Sequence, residues 1–424
     1  MVPHLITTLT GPINELEQRI LESMPAIERW FRLEWMEHTP PFYCAVSLRN
    51  AGFKLAPVDT DLFPTGFHHL TQAMQPLAVQ AAMAAIEKIC PEAKNLLLIP
   101  DPADRSAHYL LSLRWLMQTL HHAGLNVRLG SLDPAIKTPT AITLPDGTQL
   151  CLEPLKRLRG RLGLKNFDPC TIVLNCDLPG GVPAVLQGLH LQYLLPPLHA
   201  GWSVRSMVRH FQAYEEIAKK FAKLLGMDPW LIHSQHARCE QVDLERPAGV
   251  DAVRTQVDAV IGKVRRKYKE YAIRERPYAV LKADAAAGGR AVITLHEAKE
   301  LDEAALRAAV GPGRASLIVQ EGVPSYERVN DTVAEPIVYM IDRYVVGGFY
   351  RTHAERGTDE VLNGPGTKYV PLAFAHGGDL PRLGDRHAAS TPNRFYMYGV
   401  IGRLASVAAS YELEATDPEA EAYA

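Results

Sequence analysis

The chain has 424 residues, 47% of them hydrophobic, and is long enough to form two or three packed domains. Its 45 basic and 47 acidic residues nearly cancel, which argues against binding to nucleic acid or to anionic membranes. No apolar run approaches the ~20 residues of a membrane-spanning helix, and no secretory signal is visible. Six scattered cysteines without a Cys-x-x-Cys pair are typical of a reducing compartment. We therefore expect a cytoplasmic protein; its oligomeric state is not indicated.

The first 200 residues alternate predicted strands with predicted helices, after an opening helix and a loop-like segment rich in proline, glycine and aromatic residues. Such alternation favours an α/β domain with a mostly parallel sheet, whose ligands lie at the carboxyl ends of the strands. The predicted elements are a helix at 13–37, an ordered loop region at 40–70, strands at 96–101, 126–130 and 171–177, a helix at 106–123, and a β-hairpin at 142–152 around Asp146-Gly147.

The second half opens with two predicted helices and continues as a β-rich block that a final helix closes. The predicted elements here are helices at 204–225, 249–271, 296–310 and 393–413, and strands at 278–283, 291–295, 316–321, 337–341 and 344–351.

A lysine near the end of an apolar strand precedes the most informative loop of the chain. Lys282 is followed by small residues that include Gly288 and Gly289, then by Arg290 and a returning strand. Small residues let backbone N–H groups approach phosphate oxygens, and the lysine supplies a positive charge. This hairpin can therefore fold over a triphosphate, although Ala-Gly-rich hairpins are also common without a ligand.

Three later features extend the nucleotide hypothesis. An apolar strand runs into Gln320 and Glu321, an arrangement that suits a hinge holding adenine and ribose, or else an ordinary strand end. Arg351 follows on a strand of the next hairpin. Glu360 and Asn363 lie in the loop beyond, with side-chain oxygens of the kind that bind Mg²⁺.

In this order, these segments resemble the ATP-grasp superfamily, and further segments resemble the proteobacterial ATP-grasp type of glutamate–cysteine ligase. The matches extend from about residue 34 to residue 413, and the stretch from Asn50 to Phe67 is the most distinctive. The other matching segments are 42–49, 201–202, 210–214, 228–232, 267–271, 282–284, 339–343 and 347–351.

The resemblance implies an N-terminal α/β substrate-binding region at 1–200, a helical connecting segment at 201–275 and a C-terminal ATP-grasp nucleotide-binding module at 276–424. It further implies ATP-dependent joining of L-glutamate to L-cysteine, the first step of glutathione synthesis, with ATP and Mg²⁺ at the site. An acyl phosphate on the glutamate γ-carboxyl group would activate it for attack by the cysteine amine, because a carboxylate alone has no good leaving group.

The resemblance implies a role for each candidate residue. Lys282 and Arg351 are the catalytic candidates, since positive charge must be supplied during phosphoryl transfer. The nucleotide candidates are Lys282, Gly288, Gly289, Arg290, Gln320 and Glu321, and the metal candidates are Glu360 and Asn363. The candidates for the amino-acid substrates are Arg49, Asn50, Lys54 and Asp59, for which hydrogen bonding that stabilises the loop is the alternative.

The sequence departs from the family in the loop after Lys282. The family has Gly-Thr-Tyr-Gly-Met-Gly there, whereas residues 286–291 keep a single aligned glycine, Gly289. A Cβ atom where φ must be positive costs on the order of 1 kcal/mol or more. Two alternatives therefore stay open: another carboxylate–amine ligase, or a catalytically weakened relative that binds nucleotide.

Two histidine pairs, His68-His69 and His121-His122, raise a zinc hypothesis. Adjacent histidines on one element are expected to point apart, and no cysteine or histidine lies at a metal-binding spacing from them. We therefore predict no zinc site from the sequence.

Overall fold

The computed structural model describes residues 12–284, 292–310, 313–372 and 394–418, which form a mixed α/β fold with several sheets. The eight α-helices within these ranges are α1 (Pro12–Glu22), α2 (Met24–Glu37), α3 (Gln75–Ile89), α4 (Ala107–His122), α5 (Met207–Leu225), α6 (Pro247–Glu270), α7 (Glu303–Val310) and α8 (Phe395–Ala415). None of these helices is both long and apolar enough to cross a membrane.

The strands of the described residues fall into three larger sheets and one small pair. They are β1 (Tyr43–Asn50), β2 (Leu55–Asp61), β3 (Asn95–Pro100), β4 (Asn126–Ser131), β5 (Thr140–Thr143), β6 (Gln149–Pro154), β7 (Lys156–Leu158), β8 (Arg161–Gly163), β9 (Thr171–Asn175), β10 (Tyr193–Leu195), β11 (His236–Asp243), β12 (Ala279–Ala283), β13 (Ile293–Leu295), β14 (Arg314–Glu321), β15 (Arg328–Val329), β16 (Thr332–Ile341), β17 (Tyr344–Thr352) and β18 (Lys368–Pro371).

The first sheet combines strands from both ends of the chain. Its order is β18-β17-β16-β1-β2, all antiparallel, and β15 pairs with β16 beside this path. One face packs against α8, where a side chain at Gly402 would meet Val338. Most residues of α8 are buried, which is why this helix is apolar on all sides and rich in alanine.

The predicted loop region at 40–70 is wrong over much of its length, because it contains β1 and β2. All eight residues of β1 are buried, since the strand lies between β16 and β2 and is covered on both faces. A strand covered on both faces lacks the alternation of apolar and polar residues by which strands are predicted. Its partner, β16, is also far away in the sequence.

The second sheet confirms the predicted mostly parallel arrangement. Strands β10, β9, β3, β4 and β6 are parallel neighbours in this order, and β5 joins antiparallel to β6 through the predicted hairpin. Gly147 supplies the positive φ, +82°, that this hairpin turn requires. Apolar side chains of α3 and α4 pack against both this sheet and the first one.

The third sheet has the antiparallel order β11-β14-β12-β13 and is covered by α6. It contains the predicted strand pair around the loop that follows Lys282. Strand pairing crosses both of the boundaries predicted at 200 and 275: β1 pairs with β16 of the C-terminal region, and β11 pairs with β14.

Candidate functional site

One face of the first sheet changes from apolar to charged along its strands. Side chains alternate along a strand, so Phe349 and Arg351 share this face of β17, opposite Ile337 and Glu335 on β16. The apolar end belongs to the core formed with α3 and α4. At the other end lie charged side chains that we call the polar cluster: Arg49, Asp59, Lys282, Glu335 and Arg351.

Glu335 links the two arginines of the polar cluster. Its Oε2 accepts from Arg49 Nε at 3.1 Å, and its Oε1 accepts from Arg351 Nη1 at 3.1 Å. Glu335 is only 4% exposed, so its charge depends on these partners. Arg351 Nε is buried and has no hydrogen-bond partner among the described residues, which leaves it a donor for a ligand.

Lys282 reaches from the third sheet to the first. From β12, its Nζ donates to Val58 O on β2 at 2.8 Å and to Gln320 Oε1 at 3.0 Å. Within the described part of the chain, Lys282 forms no ion pair with a carboxylate. Burial lowers the pKa of Lys282, whereas the negative charges of Asp59 and Glu335 act in the opposite direction. The ammonium group is thus held by neutral oxygens close to the other charged groups.

Arg49 is buried and its donors are largely satisfied by the protein. Besides Glu335, it donates to the Val323 carbonyl at 3.2 Å and to the Glu360 carbonyl at 2.6 Å. Its Nη1 also lies 3.4 Å from the Tyr278 hydroxyl. Burial acts to lower the pKa of Arg49, but Glu335 and Tyr278 outweigh it and raise the pKa. Arg49 therefore ties β1 to the loop that contains Glu360.

Two other predicted substrate residues are also engaged within the protein. Asn50 Nδ2 donates to Glu327 Oε1 at 2.7 Å, and Asn50 is fully buried. Lys54 Nζ pairs with Glu321 Oε1 at 2.9 Å, and both side chains are 0% exposed. Asp59 differs, because its side chain makes no hydrogen bond or ion pair with another described residue although its charge acts on Lys282.

Glu321, the predicted nucleoside contact, lies in a closed network at the end of β14. Its carboxylate accepts from Lys54, from Trp230 Nε1 at 3.1 Å and from the Gln235 backbone N–H at 2.8 Å. Its neighbour Gln320 connects Lys282 with the hydroxyl of Ser234. The two residues thus hold β14 in place beside the lysine.

The turn after Glu321 requires glycine for steric reasons. A Cβ atom on Gly322 would lie 2.0 Å from the Tyr278 ring, and the Gly322 N–H donates to the Tyr278 carbonyl at 2.8 Å. Any side chain there would displace Tyr278 and, with it, the contact to Arg49. The glycine noted in the sequence after Gln-Glu therefore serves this close approach.

Glu360 and Asn363, the predicted metal ligands, lie on an exposed loop. Glu360 pairs with Arg356 at 3.1 Å and accepts from the Gly357 N–H at 2.6 Å, which together lower the pKa of Glu360. Asn363 is exposed. Neither residue belongs to a group of three or more His, Cys, Asp or Glu ligand atoms within the described residues. The role of Glu360 and Asn363 as Mg²⁺ ligands stays a prediction.

Gly288, Gly289 and Arg290 lie outside the described residues. The start of their loop is nevertheless fixed, because Asp284 caps α5. Its carboxylate accepts from Ser206 Oγ at 2.9 Å and from the Val208 N–H at 2.8 Å, and the residue is 2% exposed. A capping carboxylate satisfies an N–H group at the helix start that would otherwise lack a partner. Lys282 is therefore held two residues before an anchored position.

Two residues of this site were missed in the sequence, Glu335 and Tyr278. Glu335 stands alone among apolar residues before Pro336, and a charge in such a run must be paired if the strand is buried. That signal was available, although it does not name the partners. Nothing local distinguishes Tyr278, whose role depends on contacts with Gly322 and Arg49.

The polar cluster can bind an anion and a cationic group side by side. Lys282 and Arg351 provide donors for phosphate or carboxylate oxygens, and Asp59 provides a carboxylate that has no partner within the described ranges. Glu335 and Arg49 position this set through buried ion pairs. Such an arrangement suits a substrate that carries both phosphate and amino-acid groups.

Comparison with known proteins agrees with this chemistry. The family model of glutamate–cysteine ligase (GshA) matches residues 17–413. The crystal structure of a candidate gamma-glutamylcysteine synthetase from Methylobacillus flagellatus KT is 47% identical, with a TM-score of 0.90, and the match covers 98% of this chain and 100% of that one.

Two other solved structures are much less similar. A glutathione synthetase-like effector from Globodera pallida has 11% identity, a TM-score of 0.38 and coverage of 83% of this chain and 82% of that one. D-alanyl-alanine synthetase A from Vibrio cholerae has 14% identity, a TM-score of 0.30 and coverage of 58% and 66%. No curated protein matches the chain. The match over residues 17–413 places this chain in the glutamate–cysteine ligase family.

Proposed function

We propose that this protein uses ATP to join the γ-carboxyl group of L-glutamate to the amine of L-cysteine, on a fold of the ATP-grasp type. Family membership supports the two substrates. The observation that carries the proposal is Lys282, a lysine from one sheet that is held by neutral oxygens near Asp59, Arg49 and Glu335 of another. A lysine ammonium group that is held by neutral oxygens is suited to an anionic ligand.

The proposed reaction proceeds in two steps. A γ-carboxylate oxygen of glutamate first attacks the γ-phosphorus of ATP, so that an acyl phosphate forms and ADP leaves. The cysteine nitrogen, after losing a proton, then attacks the acyl carbon, a C–N bond forms and inorganic phosphate leaves. Lys282 and Arg351 stabilise the negative charge on the transferred phosphoryl group. Asp59 holds a substrate ammonium group, while Arg49 positions Glu335 and thereby Arg351.

Other predicted residues take supporting roles in this proposal. Gln320 orients Lys282, and Glu321 fixes the hinge through Lys54 rather than by a free carboxylate. Mg²⁺ is part of the proposal as a counter-ion for the triphosphate. It takes no part in the two steps above, because Glu360 is paired with Arg356.

The test is phosphate release from ATP with glutamate alone, cysteine alone, and both together. We expect full release only with both substrates, and γ-glutamylcysteine as the product by mass spectrometry. Release with a different amine in place of cysteine would instead identify another carboxylate–amine ligase. ATP binding at millimolar levels without any turnover would contradict the proposed activity and favour a weakened relative.

A further inference from the structure

Three histidines meet beside the polar cluster, although the sequence places no third histidine at a metal-binding spacing from His68 and His69. His68 and His69 form the end of a short 3-10 turn, and His108 lies in the first turn of α4. One ligand atom from each residue lies within 4.8 Å of those of the other two. The rings of His68 and His69 do not point apart, since their centroids are 3.9 Å from each other. We call these residues the histidine cluster.

The turn that carries His68 and His69 is fixed against α4. Ser112 Oγ accepts from the backbone N–H groups of Gly66 at 2.9 Å and Phe67 at 3.2 Å. Gly66 has φ +90°, and a Cβ there would lie 3.0 Å from the Tyr339 hydroxyl, so glycine is required. The histidine cluster is therefore positioned by the fold and does not depend on a free loop.

The geometry within the histidine cluster fits a tetrahedral metal. His69 Nε2 and His108 Nδ1 are 3.3 Å apart. Two nitrogens bound to one tetrahedral zinc at ~2.0–2.1 Å lie ~3.3 Å from each other. His68 Nδ1 is buried without a hydrogen-bond partner among the described residues. A buried nitrogen of this kind is unfavourable unless something binds it.

The three histidines are partly buried. Asp104 contributes a negative charge near His108.

The positive groups that face the cluster are partly neutralised by carboxylates of their own. Arg114 acts on His68 and is paired with Asp146. Arg351 acts on His108 and is paired with Glu335.

We propose that His68, His69 and His108 form a binding site for a divalent transition metal, with Zn²⁺ as the expected ion. Three histidines leave one tetrahedral position for water or another ligand. The ring of Tyr369 stacks on His69 at 3.9 Å, and Tyr369 is the strand partner of Arg351. The ion would therefore lie next to the polar cluster. This inference does not depend on the reaction proposed above.

The experiment is Zn²⁺ titration of chelator-treated protein against a chromophoric competitor, with Co²⁺ absorption as a second measurement. We expect one Zn²⁺ per chain and a tetrahedral Co²⁺ spectrum. His68→Asn and His108→Asn, tested separately, should each weaken binding by at least about 100-fold. His122→Asn, an exposed histidine at the end of α4, is the matched control and should bind as the wild type does.

The alternative is a plain hydrogen bond between His69 and His108 in a stack with Tyr369. Wild-type protein that binds no Zn²⁺ at 100 µM, a concentration corresponding to ~5.5 kcal/mol of binding, would overturn the proposal. So would unchanged Zn²⁺ affinity in both variants, which would place the ion elsewhere, for example at Asp101, Cys176 and Asp177. Unfolding midpoints of the metal-free variants show whether each one folds.

Discussion

Two lysines of this protein lie on neighbouring parts of the fold but have opposite environments. Lys54 is 0% exposed, pairs with Glu321 at 2.9 Å and lies 4.2 Å from the centre of the Trp230 ring. Lys282 is partly buried and donates to a backbone carbonyl and an amide oxygen. Burial lowers the pKa of both. The difference is the partner, because only Lys54 has a carboxylate in contact.

This comparison separates a structural charge from a charge that can bind a ligand. A buried ion pair leaves neither group free, and breaking it exposes an uncompensated charge to the interior. A lysine held by neutral oxygens can give up one of those contacts for a phosphate at little cost to the fold. The residues that matter for stability and for reaction should therefore differ, although both lysines are near β14.

The largest expected effect is the loss of stability on breaking the Lys54–Glu321 pair. Glu321→Gln keeps the size of the side chain but leaves the Lys54 ammonium group buried without a counter-charge. We expect the free energy of unfolding to fall by ~3–5 kcal/mol, as measured by urea denaturation. Glu297→Gln, in an exposed pair with Lys299, is the matched control and should change stability by under ~1 kcal/mol. Equal effects would remove the distinction between buried and exposed pairs.

The second prediction concerns Lys282. Lys282→Met should leave the free energy of unfolding within about 1 kcal/mol of wild type, because no ion pair is broken. Substrate-dependent phosphate release should fall by ~10²–10³-fold, the usual effect of removing one donor that stabilises transition-state charge. Lys269→Met, at an exposed lysine of α6, should keep normal turnover. Normal kinetics in the Lys282 variant would exclude this lysine from the reaction.

A third prediction uses a carboxylate that lacks the protection of an ion pair. Burial raises the pKa of Asp61 to about 6, and the Phe63 N–H, which donates at 2.8 Å, only partly opposes this. In the unfolded chain the pKa of Asp61 is ~3.9. Protonation of Asp61 therefore stabilises the native state fully below pH ~4, and this stabilisation is lost as the pH rises through about 6.

Asp61→Asn removes this titration and keeps an oxygen acceptor for Phe63. The free energy of unfolding of the variant minus that of wild type should therefore increase by ~1.4 kcal/mol between pH 5 and pH 8, as followed by urea denaturation. Asp258→Asn, at an exposed aspartate of α6, gives the background for the same measurement. If the free energy of unfolding has the same pH dependence in Asp61→Asn and in wild type, that result would contradict the burial of Asp61.

The smallest expected effect comes from the cap that anchors the chain after Lys282. Asp284→Ala removes the acceptor for Ser206 and the Val208 N–H at the start of α5 and should cost ~1 kcal/mol. If this anchor positions Lys282, the loss of turnover, expressed as a free energy, should be larger than the loss in the free energy of unfolding. Ser206→Ala keeps the Val208 contact but removes the hydroxyl that accepts from the Arg209 N–H, so it should cost a similar ~1 kcal/mol while leaving Asp284 in place.

The sequence predicted the elements with strong local patterns and failed where the pattern depends on distant partners. The parallel strands and the hairpin at Asp146-Gly147 have local signals, and the structure confirms them. Strands β1 and β2 were read as loop, since their burial comes from strands near the other end of the chain. Local periodicity does not contain this information.

The same limit applies to the site. Lys54 and Glu321 were assigned separate ligand roles, yet they pair with each other across 267 positions. His108 was not connected with His68 and His69, because the contact requires the packing of α4 on the preceding turn. Lys282 was found because a strand end and its chemistry can be recognised locally, and Arg351 was found through the family resemblance; whether they catalyse the reaction stays a prediction.

The central place of β1 in the first sheet has a consequence for synthesis on the ribosome. The strand emerges early, but β16 follows only about 270 residues after β2, which takes on the order of 15–50 s at ~5–20 residues per second. Until then one edge of β1 has no partner and is open to pairing with other chains. Nascent chains that stop before residue 332 should therefore aggregate or recruit chaperones, whereas the full-length chain closes this edge itself.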